Sequence, residues 1–225
     1  MLLAFYRSTI GKKIIMGVTG LIGIGFVIAH MAGNLQVFIG QDKINSYGAA
    51  LHGPLAELTW ALRIVLIVSV ILHILMAVQL TQRSAAARPV GYQQRNPQVS
   101  TLASRTMKWG GVLLLFFIVF HILHFTTETI DPAGWRGMND LQGHRDVYGD
   151  IVASFRIWWV ALLYIISMIA LGMHLYHGAW SSVRTLGFAK PSFNPLHRRI
   201  ALAVAAIVWL GFTLVPVGVI AGIIR

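Results

Sequence analysis

Four histidines lie deep inside long apolar stretches of this chain: His30, His73, His121 and His174. An imidazole in hydrocarbon is costly unless it binds something, so an ionisable side chain within a membrane span is a candidate functional group. One such residue is accounted for by a polar contact between helices. Four of them, one per apolar stretch, have the distribution of two pairs of axial ligands. Iron gripped by two imidazoles keeps no open position for oxygen, which restricts it to electron transfer. Two bis-histidine haems of the b type are therefore the expectation. Four unrelated polar contacts in a helix bundle are the alternative.

The elements that must position these residues are legible in the hydropathy. The 225 residues are 56% hydrophobic and only 11% charged, with a mean hydropathy of +0.71, outside the range of soluble globular domains. Apolar runs fall at roughly 14–39, 58–82, 107–129, 156–183 and 199–224, each long enough to cross a bilayer at about 20 residues per span. The expected architecture is all-α, one transmembrane bundle of five helices over residues 1–225, without room for a second soluble domain. The first run is too long for the apolar core of a signal peptide, and Ala29-His30-Met31-Ala32-Gly33 is a poor cleavage site, so it is expected to remain as a helix. No cysteine is present, which excludes disulfides, covalent haem attachment through Cys-x-x-Cys-His and thiolate-held iron–sulfur clusters on this chain.

The formal charge of +11 reads as topology once it is mapped. Twelve cations flank the runs on one side: Arg7, Lys12, Lys13, Arg83, Arg88, Arg95, Arg105, Lys108, Arg184, Lys190, Arg198 and Arg199. The other side holds Lys43, Arg63, Arg136, Arg145, Arg156 and Arg225, together with all seven acids, Asp42, Glu57, Glu128, Asp131, Asp140, Asp146 and Asp150. The positive-inside rule makes the first side cytoplasmic, with the N-terminus inside. A multi-pass protein of the cell's inner (cytoplasmic) membrane is expected, and nucleic acid gains no support as a partner. The connection from Arg83 to Lys108, with Pro89 and Pro97, reads as a polar loop. The longest external segment runs from Thr129 to Phe155 and suggests a small cap. Pro191 and Pro195 break the chain before the last run.

Depth follows from a rise of 1.5 Å per residue. His73 lies roughly 15 Å from Arg83 and His174 roughly 15 Å from Arg184, whereas His121 is about 20 Å from Lys108 and His30 about 26 Å from Lys13. Two levels result, His73 with His174 inside and His30 with His121 outside. Cofactors in bundles are held by side chains on facing helices, as this arrangement requires.

The remaining polar residues are less specific. His124 follows His121 by three and His177 follows His174 by three, so each shares a face with its neighbour and is an alternative ligand. Haem propionates, water or quinone are their other expected partners. His52, His144 and His197 read as surface residues. Gly17, Gly20, Gly23 and Gly25, and Gly110 with Gly111, suit either a flat macrocycle or close helix packing. Trp109, Trp158, Trp159, Trp180 and Trp209 suit interfacial belts. A quinone cleft near the inner end would draw on Ser8, Lys12, Arg83, His177, Trp180 and Ser181.

The run Gly11-Lys12-Lys13, then Gly17-Val18-Thr19-Gly20 and His30-Met31-Ala32-Gly33-Asn34, resembles the dihaem cytochrome b anchor subunit of succinate:quinone oxidoreductases (succinate dehydrogenase and fumarate reductase). So do Leu72-His73 leading to Gln79-Leu80-Thr81 and Ala87-Arg88-Pro89, Phe120-His121-Ile122-Leu123-His124-Phe125, and His174-Leu175-Tyr176-His177-Gly178-Ala179-Trp180-Ser181. The resemblance implies axial pairing of the first helix with the third and the second with the fourth. It implies two haem b, a flavoprotein subunit with FAD and an iron–sulfur subunit docked on the cytoplasmic side. Quinone, expected to be menaquinone, would be the bound substrate, and the complexes could form a higher oligomer. Some relatives carry a carboxylate at an outer quinone site; here Glu57 is only a positional analogue. Two other readings stay open: a cytochrome b subunit of a hydrogenase or formate dehydrogenase, and a histidine-lined metal or proton transporter.

Overall fold

The computed structural model describes residues 2–87, 100–188 and 195–225. Arg88, Arg95 and Lys190, with Pro89, Pro97 and Pro191, lie outside the described residues. The described chain runs α1 (Leu2–Arg7), α2 (Thr9–Asn34), a 3₁₀ turn (Leu35–Phe38), α3 (Gln41–His52), α4 (Ala56–Ala86), α5 (Leu102–His121), a π-turn (Ile122–Thr126), α6 (Val147–Arg156), α7 (Trp158–Thr185) and α8 (Pro195–Ile220). Among the described residues, β structure is limited to one isolated antiparallel bridge, Asn139 with Arg145.

Among the described residues, five segments are long and apolar enough to cross a membrane: Thr9–Phe38, Ala56–Ala86, Leu102–Thr126, Trp158–Thr185 and Pro195–Ile220. The chain is an all-α, multi-pass membrane bundle. In hydrocarbon every backbone polar group must be paired within the segment, so an apolar run of this length has only the helix open to it. Most of these helices extend beyond the apolar runs at one or both ends, and two of them start at a polar side-chain cap. Ser8 Oγ accepts from Gly11 N at 2.8 Å at the start of α2, and Thr101 Oγ1 accepts from Ser104 N at 3.1 Å at the start of α5. Asn34 Nδ2 donates back to the His30 carbonyl at 3.0 Å where α2 ends.

Helix α2 packs against α4, α7 and α8, and α7 against α2, α5 and α8. Small residues set these approaches, as expected where lipid removes the hydrophobic drive between helices. A side chain at Gly172 would come within 3.3 Å of Trp209, and one at Gly17 within 3.7 Å of Leu186. Among the described residues, α2 and α5 make no extended backbone contact, and neither do α4 and α7.

At one end, α3 and α6 lie across the bundle as a cap, and the segment Thr129–Phe155 contributes α6 to it. Val37, Ile44, Ile151, Val152 and Phe155 are buried there against Val215, Val219 and Ile224. Its polar centre is Asn45, 1% exposed. Asn45 Nδ2 donates to Asp140 and Asp146 at 3.0 Å each, and its Oδ1 accepts from Tyr148 N at 3.0 Å. Asp146 in turn caps α6 by accepting from Gly149 N at 3.0 Å. Burial pushes the Asp146 carboxyl up, but hydrogen bonds from Asn45, Gly149 and Gln41 outweigh that and hold it below the usual carboxylate range. The opposite end carries the described members of the basic set.

Candidate cofactor-ligating site

His30 on α2 faces His121 on α5, with ring centroids 5.8 Å apart and planes at 75°. His73 on α4 faces His174 on α7 at 6.2 Å and 56°. Each pair joins two helices that make no extended close backbone contact among the described residues. The first pair lies toward the cap and the second toward the basic end. Two imidazoles sharing one metal through bonds of about 2 Å place their ring centroids about 6 Å apart. The residues therefore fit a bis-histidine metal group.

Local bonds orient two of the rings. His73 Nδ1 lies 3.1 Å from the Met16 carbonyl and 3.3 Å from Thr19 Oγ1. A carbonyl only accepts, so His73 carries its proton on Nδ1 and its lone pair on Nε2, the state a ligand needs. Thr19 is held by its own back-bond to Ile15 O at 2.8 Å. On the cap side, His121 Nδ1 meets Tyr164 Oη at 3.2 Å. His174 Nδ1 is buried without a hydrogen-bond partner among the described residues.

Several glycines lie beside these histidines or along the same helix faces. Gly110 lies eleven residues before His121, three turns along the same face, and lines a narrow cleft beside His174 with Ala103, Thr106, Met107, Ala170 and Met173. A side-chain carbon at Gly111 would reach His174 Cε1 at 3.9 Å, and one at Gly20 would reach His73 Cε1 at 3.3 Å. Gly23, seven residues before His30, has open space at its Cα. Aromatic rings wall the cap-side pair. Phe26 stacks on His30 at 5.4 Å, Phe212 lies 5.8 Å from His30, and Phe117 lies 5.8 Å from His121. Phe212 is four residues before Pro216, whose missing N–H interrupts the backbone ladder of α8 there.

His124 stands in a π-turn rather than in a regular α-helix. The π-turn Ile122–Thr126 widens the helix by one residue and buries the ring to 2% exposure. There its Nδ1 meets Tyr164 Oη and its Nε2 meets Ser154 Oγ, both at 3.0 Å. Tyr164 and Ser154 were absent from the sequence-derived candidates. The signal that marks them is a polar residue inside an apolar or amphipathic run, here Ser154 four residues after Asp150.

The residues expected at a quinone cleft fall into two groups. Lys12, 3% exposed, bonds Gln79 Oε1 and sits 4.0 Å over the Tyr6 ring. Arg83 binds Thr9 Oγ1 at 3.0 Å and the Arg7 carbonyl at 2.8 Å, and Ser8 is committed to its cap. These tie α1, α2 and α4 together. On α7, the Trp180 ring has the guanidinium groups of Arg184 and Arg198 over it, at 5.3 and 4.9 Å. His177 is half-buried one turn from His174, and Ser181 Oγ donates to the Gly178 carbonyl at 3.3 Å. Glu57 stands apart, exposed at the cap-side start of α4. Of the three histidines read as surface residues, His52 is exposed, whereas His144 and His197 are half-buried, each with Nδ1 enclosed.

Among the described residues, no group of three or more His, Cys, Asp or Glu side chains converges to hold a bare metal ion. Compared with family models, curated proteins and solved structures, the chain matches none.

Proposed function

We propose that this chain is the membrane-anchor cytochrome b subunit of a succinate:quinone oxidoreductase. It would pass electrons between an iron–sulfur partner, itself served by an FAD flavoprotein, and a membrane quinone, with menaquinone the expected type. The supporting observation is the pair of facing histidine couples, one toward the cap and one toward the basic end, each joining helices without extended close backbone contact. His30 with His121 would hold one haem b and His73 with His174 the other. Each haem, when bound, would carry one electron. Around them the chain's own residues do the rest: Met16 and Thr19 fix the His73 tautomer, Tyr164 steadies His121, and glycines on α2 and α5 let the helices stand close to a flat ring. His177, Trp180, Lys12 and Arg83 are candidates for the quinone and for propionate contacts at the basic end. By the positive-inside rule that end faces the cytoplasm of the cell's inner membrane, where the two soluble subunits would dock.

The dicarboxylate-oxidising partners rest on the sequence resemblance and the haems on the geometry, so the test has two arms. A pyridine haemochrome assay on the purified chain should return about two haem b per chain. His73→Ala or His174→Ala should remove one, and His30→Ala or His121→Ala the other. Retention of both haems in every single variant overturns the pairing. Co-purification with a succinate-reducible flavoprotein separates this reading from a hydrogenase or formate dehydrogenase cytochrome. A metal or proton transporter would give no haem spectrum at all.

A further inference from the structure

A line of hydrogen bonds leaves the cap-side pair and ends on a carboxylate in the cap. His121 Nδ1 lies 3.2 Å from Tyr164 Oη, which lies 3.0 Å from His124 Nδ1. His124 Nε2 lies 3.0 Å from Ser154 Oγ, and Ser154 Oγ 3.2 Å from Asp150 Oδ1. Proton inventory gives this line one direction. An ionised carboxylate only accepts, so the Ser154 hydroxyl donates to Asp150 and its oxygen must accept from His124 Nε2–H. A neutral His124 then offers a lone pair at Nδ1, to which Tyr164 donates. The Tyr164 oxygen accepts from His121 Nδ1–H, which leaves the lone pair of His121 on Nε2. Each assignment forces the next, and the last is the tautomer that an axial ligand requires.

We propose that Asp150 is a proton-exchanging site linked through this line to His121, so that an electron reaching the cap-side pair is matched by uptake of one proton at Asp150 from cap-side water. The proposal rests on His121 being an axial ligand, as read above. The balance is simple. One electron, supplied by the iron–sulfur or quinol donor, would reduce the haem that the pair would hold and lower the charge there by one. One proton from water converts the Asp150 carboxylate to the acid, and no bond between heavy atoms forms or breaks. A negative charge at the end of a polarised hydrogen-bond line strengthens every member and makes His121 a stronger donor to an oxidised metal. A protonated Asp150 withdraws that support, so oxidised metal and ionised Asp150 favour one another.

The surroundings suit the role. Arg145 Nη2 donates to Asp150 Oδ2 at 3.1 Å, and Arg145 Nε meets Glu128 Oε1 at 2.6 Å. The Arg145 side chain is 34% exposed and that of Glu128 18%, so the pair reaches water. Burial pushes the Asp150 carboxyl above its ordinary range, against the pull of Arg145 and the Ser154 hydrogen bond. From the elements packed on α6, the π-turn offers His124 and α7 offers Tyr164. Helix α3 directs Asn45 and Gln41 to Asp146, and the cap-side half of α8, residues 207–220, contains no titratable side chain.

The test is a spectroelectrochemical titration of the haem-loaded full chain in lipid nanodiscs between about pH 5.5 and 8.5, since a one-electron couple tied to one proton falls by up to about 59 mV per pH unit. One of the two midpoints should fall with pH by a large part of that slope. Asp150→Asn should raise that midpoint and flatten its slope while leaving the other haem unchanged. Redox-difference infrared spectra should show a carboxylic C=O band on reduction that Asp150→Asn removes. Should that variant fold poorly, Ser154→Ala leaves the Asp150–Arg145 pair in place and should flatten the slope too, with Ser154→Thr restoring it. Unchanged slopes in Asp150→Asn and Ser154→Ala overturn the proposal while leaving the haem reading intact. If His121→Ala loses no haem, the ligand reading fails and this proposal falls with it.

Discussion

Hydrogen at one position in α2 decides what can stand beside His73. A side-chain carbon at Gly20 would lie 3.3 Å from His73 Cε1, tighter than ordinary contact. Valine there adds two further methyl groups on a ring whose Nδ1 is pinned to the Met16 carbonyl at 3.1 Å, so the ring must turn and its Nε2 loses its aim. Gly20→Val is expected to lower the haem content from about two per chain toward one, because a misaligned ligand forfeits most of its binding energy. A haem content equal to that of the parent chain would remove Gly20 from the proposed site. At this scale the two facing histidine pairs were legible because an imidazole inside an apolar run stands out, and a rise of 1.5 Å per residue gives its depth. Tyr164 was not legible, since a tyrosine in an apolar run reads as ordinary packing until its hydroxyl is seen between two histidines.

Helices that cross hydrocarbon announce themselves, whereas helices that lie across its mouth do not. The five spans were readable from length and hydropathy, but α3 and α6 are short and are held by polar bonds rather than by an apolar stripe alone. Asn45 is the clearest case: nothing in the sequence singles it out, yet it joins α3 to Asp140, Asp146 and α6. The π-turn was equally hidden, because His121 and His124 are three apart whether the backbone there is α or π. Asn45→Ala leaves two carboxylates short of a donor and is expected to cost about 1–3 kcal/mol locally. The measurement is limited proteolysis of the intact protein, with faster cleavage in residues 127–146. Cleavage at the rate of the parent protein would show that the apolar contacts of the cap suffice. Acid should act in the same direction. Asp146 is held below the unfolded value of about 3.9, so its contribution is present above about pH 4 and is lost as pH falls through the folded value. Asp150, held high by burial, has the opposite sign and weakens the cap as pH rises through its own value.

Across the whole molecule, the basic end is less uniformly available than its charge suggests. Lys12 is buried, Arg83 is bonded to Thr9 and Arg7, and Arg184 and Arg198 lie over Trp180. Lys13, Arg105, Lys108 and Arg199 are exposed and remain for a partner. Lys108→Glu with Arg199→Glu should therefore release the proposed soluble subunits at lower salt than the parent complex requires. Retention in about 1 M salt, where the screening length is about 3 Å, would count against an electrostatic dock. The crossed pairing of the histidines also carries a consequence in time. The cap-side site needs residues up to 121, and the basic-side site needs residues up to 174, so the ribosome completes the first 53 residues ahead of the second. At about 5–20 residues per second that is a lead of about 3–10 s. Synthesis would thus present the two proposed haem sites for loading in a fixed order, the one beneath the cap first. Because the second site joins α4 to a helix made much later, α4 must wait in the bilayer beside α2 until α7 arrives.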